Sequence, residues 1–179
     1  MRFGWVKTAL VGAMGAAILT VAACNRTPPV SAETLAKNAA DAAAFLEKNK
    51  SAAGVQTLPS GLQYKVLASG PSGAASPDRN DLVRVDYEGS LIDGTVFDSS
   101  FQRGVPLAIH VDEVVPGWTE ALQRMKAGDE WMLYVPPALG YKDRDTGDIP
   151  PNSALVFRVK LLDVAPVPGA GRAIGSAQG

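Results

Sequence analysis

The stretch YEGSLIDGTVFDSS, Tyr87 to Ser100, sets Tyr, Phe and two Asp around two glycines, and VVPGWTEAL, Val114 to Leu122, follows it with a Trp. Side chains that usually break bonds are scarce beside it, because the chain has one histidine and one cysteine. His110 stands in a run where Leu107, Ile109 and Val111 alternate inward, which turns its imidazole toward water and away from a general base's role. A metal site lacks ligands, since structural and catalytic sites draw on clustered His, Cys and carboxylate side chains. Asp93 and Asp98 could serve as paired carboxylates, but Asp93-Gly94 reads first as a turn, where glycine supplies the special backbone angles. What remains is apolar and aromatic: Tyr87, Phe97, Val114, Val115, Trp118, Tyr141, Ile149 and Phe157. Scattered singly, these would be core.

The elements that must position them are visible as alternations. In LVRVDYEGSLI, Val83, Val85 and Tyr87 alternate with Arg84, Asp86 and Glu88. Leu155, Phe157, Val159 and Leu161 share one face of the last strand, with Arg158 and Lys160 on the solvated side, as antiparallel sheets allow. LQYKVLAS, PLAIHV and EWMLYV bring the expected strands to at least five. One helix interrupts them: in GWTEALQRMKAG, Trp118, Ala121, Leu122 and Met125 fall at i, i+3, i+4 and i+7, and Gly128 supplies a stop. The pattern predicts an α+β domain, a curved antiparallel sheet closing on that helix.

Outside this region the chain is of two other kinds. The first 23 residues carry Arg2 and Lys7 and then the uncharged TALVGAMGAAILTVAA, the layout of an export signal and shorter than the ~20 apolar residues of a spanning helix. It ends at VAAC, which resembles a bacterial lipobox, so Cys24 is expected to be lipidated and to anchor the chain. Asn25 in place of aspartate favours the outer membrane. After the Pro28-Pro29 spacer, Ser31 is a fit N-cap for a helix of four to five turns, with Glu33 and Lys48 suiting its dipole. Leu35, Ala39, Ala42 and Leu46 form a narrow seam along it, fit for a homodimer contact or for packing on the chain's own domain. Gly54 is the expected break, and the Gly/Ala/Pro-rich tail after Ala165 reads as disordered. A formal net charge of −1, with basic and acidic residues interspersed, leaves no footprint for nucleic acid.

Three blocks in order, VRVDYEGSLIDGTVFDSS, VVPGWTEALQRMKAGDEWMLYVPPALGY and IPPNSALVFRVKLLDV, resemble the FKBP-type peptidyl-prolyl isomerases over Leu58 to about Ala165. The likeness implies a half-barrel sheet around the short helix, with a substrate proline entering between them. It matches Trp118 to the pocket floor, Tyr87, Phe97 and Phe157 to its aromatic walls, and Val114, Val115 and Ile149 to its aliphatic lining. Asp98 matches the carboxylate beside the pocket, Tyr141 a phenol that binds a substrate carbonyl, and the Val115 N–H a second donor. Two departures stand out: Lys142 follows Tyr141 where relatives usually have glycine, and Leu107 and Ile109 occupy a strand where relatives often place an aromatic, making that wall softer and wider.

The domain plan expected is therefore a signal over 1–23, an anchor spacer and helix over 24–57, an isomerase domain over 58–165 and a tail over 166–179. The N-terminal helix gives the chain the look of the Mip-like envelope branch of that family. The resemblance implies rotation of X-Pro bonds in exported polypeptides, macrolide inhibitors as ligands, and no cofactor. The alternative is a binding module of the same fold that holds proline-containing segments with little turnover.

Overall fold

The computed structural model describes residues 30–168; the expected signal, Cys24 and the tail from residue 169 lie outside them. Helix α1 covers Ala32–Asn49, and the Ser31 side chain accepts the Thr34 N–H at 3.1 Å, a cap worth ~1 kcal/mol. It stops short of Gly54, which instead takes φ +79° in the following turn. Its inner face docks on the chain's own domain. Ala42 is buried, the Phe45 and Tyr134 rings lie 6.2 Å apart, and Ala39 of the expected seam stays exposed. Gln63 is 1% exposed, yet its amide is satisfied at both ends by α1: it accepts from Asn49 Nδ2 and donates to the Leu46 carbonyl, each at 2.8 Å.

The sheet has seven strands: β1 (Val55–Thr57), β2 (Gln63–Ala68), β3 (Leu82–Leu91), β4 (Val96–Ser99), β5 (Leu107–His110), β6 (Glu130–Val135) and β7 (Leu155–Ala165). All pairings are antiparallel in the order β1-β2-β6-β7-β3-β4, and β5 also pairs with β3. β3 and β7 run against each other from Leu82–Ala165 to Leu91–Leu155. Alternation sorts them as expected: Val83, Val85, Val159 and Leu161 are at most 1% exposed, while Arg84 and Arg158 face water.

The other edge of β3 is shared. Its Glu88–Ser90 end pairs with β4 and its Leu82–Val85 end with β5, and between them the chain leaves the ladder in the single turn α2, Ser100–Arg103, closed by Gly104 at φ 69°. The Tyr87 N–H would be orphaned there, but it donates to Ser100 Oγ at 2.9 Å, and that hydroxyl donates on to Asp86 Oδ1 at 2.9 Å.

Helix α3, Pro116–Leu122, lies in the concave face of the sheet, with proline in its first turn, where no N–H is missed. Trp118, Ala121, Leu122 and Met125 are buried as their spacing requires. The helix nevertheless ends at Leu122, before Gly128. Asp129 marks the early exit: its carboxylate accepts the Lys126 N–H at 3.0 Å, a donor that a longer helix would have turned to the Leu122 carbonyl, and it also ties in the Gly70 N–H of the loop after β2 at 2.7 Å. His110 is half-buried rather than turned fully to water, its Nδ1 2.9 Å from the Asn80 carbonyl. The start of the tail is held too, because the Val167 N–H donates to Asp81 Oδ1 at 2.9 Å.

Candidate active site

Between α3 and the concave sheet opens a cleft of about 410 Å³, within the range of small-ligand sites. Trp118 closes its inner end, reached edge-on by Tyr87 (ring centroids 5.2 Å apart, 85°) and by Phe157 (5.2 Å, 83°). Phe97 meets Phe157 in the same manner at 5.7 Å. Edge-to-face contacts fix ring orientation beyond simple burial. Leu107 and Ile109 of β5 and Val114 and Val115 before α3 supply the aliphatic wall. Ile149 is placed differently: it is 5% exposed, but it is buried in the core and is not among the residues lining the cleft.

Asp98 joins the aromatic walls to charge. Its carboxylate accepts from the Tyr87 hydroxyl and from Arg103 Nη1, while Arg103 Nη2 donates to the Tyr87 oxygen at 3.0 Å and its guanidinium stands 5.5 Å from that ring's centroid. Partial burial, the largest single influence, pushes the Asp98 carboxyl up, but the Tyr87 and Arg103 bonds and the Arg103 charge together outweigh it and hold it below its ordinary value. Tyr87 shifts upward, chiefly through burial and then through its bond to Asp98. The carboxylate is thus spent on orienting a phenol. It is not a free base.

Donors at the cleft remain unspent, the buried Trp118 Nε1 among them. The Tyr141 hydroxyl and the Val115 N–H have no hydrogen-bond partner among the described residues. A mostly apolar cleft with a few open polar groups has the general form of a ligand site.

A family model described as "FKBP-type peptidyl-prolyl cis-trans isomerase" matches residues 73–162, and one described as "Domain amino terminal to FKBP-type peptidyl-prolyl isomerase" matches residues 15–66. The FKBP-type 22 kDa peptidyl-prolyl cis-trans isomerase of Escherichia coli is 46% identical over 78% of this chain and 68% of its own length. The chain belongs to the FKBP-type peptidyl-prolyl cis-trans isomerase family.

Other members agree. Peptidyl-prolyl cis-trans isomerase Mip of Coxiella burnetii is 52% identical over 71% of this chain, and the outer membrane protein MIP of Legionella longbeachae 49% identical over 72%. The chain spans 55% and 54% of those two relatives' lengths, about half. The crystal structure of FkpA from Escherichia coli superposes with a TM-score of 0.72 at 44% identity, covering 76% of this chain and 63% of that one.

Within this FKBP-type framework, some site residues were not anticipated from sequence. Arg103 is one, because its partnership with Asp98 depends on a four-residue helix that no periodicity announces. Glu113, Pro116, Gly140 and Arg144 also line the cleft, with the Arg144 guanidinium 6.0 Å from the Tyr141 ring centroid. Gly89 acts from behind: a Cβ there would lie 2.7 Å from atoms of both Phe97 and Phe157. Lys142 keeps a positive φ of 58°, the conformation a glycine would favour at that position.

Proposed function

We propose that this chain catalyses cis-trans isomerisation of X-Pro peptide bonds in exported polypeptides. The observation that carries the reading is the cleft itself, an aromatic enclosure around Trp118 with unspent donors at Val115 and Tyr141. Uncatalysed rotation faces a barrier of ~18–20 kcal/mol, most of it lost amide resonance. The twisted amide is less polar than the planar one, so an apolar enclosure favours it. The Tyr141 hydroxyl and the Val115 N–H then hold the flanking carbonyls in a turn-like substrate, binding spent on the twisted state. No nucleophile, cofactor or metal enters, and Asp98 serves by fixing Tyr87. The same cleft is the place for macrolide inhibitors, which compete with peptide.

The test is the isomerisation rate of proline-containing tetrapeptides with the wild-type chain, Asp98→Ala and Tyr141→Phe. Acceleration that falls in both variants while the fold is kept supports the reading. A folded chain that binds prolyl peptides without acceleration overturns it in favour of a holding module.

We further infer that Cys24 carries a lipid that places the domain on the periplasmic side of the outer membrane; the support is the VAAC run after an apolar signal and the name of the Legionella relative. Cys24→Ser is expected to move the protein from the membrane to the soluble fraction. A homodimer made through α1 would use its outer side, since the inner side packs on the domain; sedimentation of the full chain tests for it.

A further inference from the structure

The loop from β6 to β7, residues 136–154, carries Tyr141 to the cleft, and α1 holds that loop from the other side. Asn38 Nδ2 donates to the Pro151 carbonyl at 2.8 Å, and Asn152 Nδ2 donates to the Leu35 carbonyl at 3.2 Å. Asn152 then faces the site through its backbone, its N–H donating to the Lys142 carbonyl at 2.7 Å, while the Lys142 N–H reaches the Pro137 carbonyl at 2.9 Å. Both Asn152 (φ 59°) and Lys142 (φ 58°) sit in the left-handed region, so the loop's path depends on two conformations that need outside support. Neither Asn38 nor Asn152 lines the cleft.

We propose that Asn38 and Asn152 are positioning residues of the isomerase, through which α1 fixes the backbone at Lys142 and so holds the Tyr141 hydroxyl over the substrate. This rests on the isomerase reading above. Helix α1 is then part of the site's support as well as a spacer from the membrane. Placement of a donor to within about 1 Å decides how much of its binding is realised in the transition state.

The experiment is a double-mutant cycle on the full chain in detergent, reading kcat/KM for a proline tetrapeptide. Asn38→Ala removes one tie without touching the loop. Asn152→Gly removes the other, yet keeps the backbone N–H and tolerates the positive φ. Together they are expected to lower kcat/KM about tenfold in the wild-type background and by less than about twofold in a Tyr141→Phe background, since coupled changes are not additive. Asn38→Ala alone, should the pair fold poorly, is expected to show the same non-additivity at about threefold. An equal loss in both backgrounds, with a matching drop in melting temperature, would show a structural role only and overturn the proposal. So would an unchanged rate. A wild-type chain inactive on every prolyl peptide is a different pattern, and it would overturn the isomerase reading together with this one.

Discussion

Phe97 and Phe157 meet edge to face, centroids 5.7 Å apart and planes at 85°, in the space left by the missing side chain of Gly89. The two phenylalanines come from different strands, Phe157 pairing with Gly89 across β3 and β7. A methyl at residue 89 would stand 2.7 Å from both rings, closer than carbon atoms tolerate, and ring edges in a packed wall have little room to yield. Gly89→Ala is therefore expected to cost ~1–3 kcal/mol of stability and to lower kcat/KM about tenfold or more by displacing the wall. Urea unfolding and peptide kinetics on the same preparation check it; unaltered values for both would mean that the rings adjust freely.

Ser100 offers a second test, in the ladder's gap. It is fully buried, and its hydroxyl is the acceptor for the Tyr87 N–H. Removing it leaves a buried donor unpaired, a loss of ~1–3 kcal/mol. Ser100→Ala is expected to destabilise by that amount, and Ser100→Thr by less, since the hydroxyl is kept at the expense of a methyl in a packed site. Amide exchange at Tyr87 should accelerate in the alanine variant, and protection there equal to wild type would reject the assignment.

These two residues also show which parts of the site were legible in the sequence. β3 and β7 were readable because one face of each is buried, so residue types alternate with the pleat. β1 and α2, at three and four residues, are too short to display a period, and with α2 went Arg103. The apolar spacing of α3 runs on to Met125 although the regular helix ends at Leu122, because the turn beyond it still brings the Met125 N–H to the Ala121 carbonyl at 3.1 Å and so keeps that side chain on the buried face. Ile149 was matched to the lining by family resemblance alone, and burial within the core is a matter of packing that no residue type announces. Gly89 gave no signal, since what a glycine makes room for is known only once the strands are paired.

The acid limit of stability should follow Asp98. Its folded pKa lies below the ordinary 3.8, held there by Tyr87 and Arg103 against the cost of burial. A depressed carboxyl pKa means that the unfolded chain takes up its proton first, so the contribution is present above the unfolded value and is lost as pH falls through the folded one. Tyr87 has the opposite sign: raised above 10.0, it stabilises below that value and is lost as pH climbs through its folded pKa. The Asp98–Arg103 pair is exposed enough for solvent to screen it, so the effect is modest. Unfolding measured from about pH 2 to about pH 7 should show wild type ahead of Asp98→Asn at the neutral end and the two curves converging toward acid. Parallel curves would remove the carboxylate from the account.

Lys142 supplies the last expectation, because a lysine with φ 58° carries a left-handed cost of ~1–2 kcal/mol that a glycine would not. Glycine in turn loses more backbone freedom on folding, ~0.5–1 kcal/mol. The balance predicts that Lys142→Gly stabilises the domain by ~0.5 kcal/mol, whereas Lys142→Val, branched at Cβ in the same conformation, destabilises it by more than ~1 kcal/mol. Because the Lys142 N–H and carbonyl both take part in the loop's hydrogen bonds, relieving the strain should also raise the protection of the Asn152 amide that donates to Lys142. Chemical denaturation of the three proteins, with hydrogen exchange at Asn152, decides it: a glycine variant less stable than wild type would mean that the lysine side chain itself holds the loop.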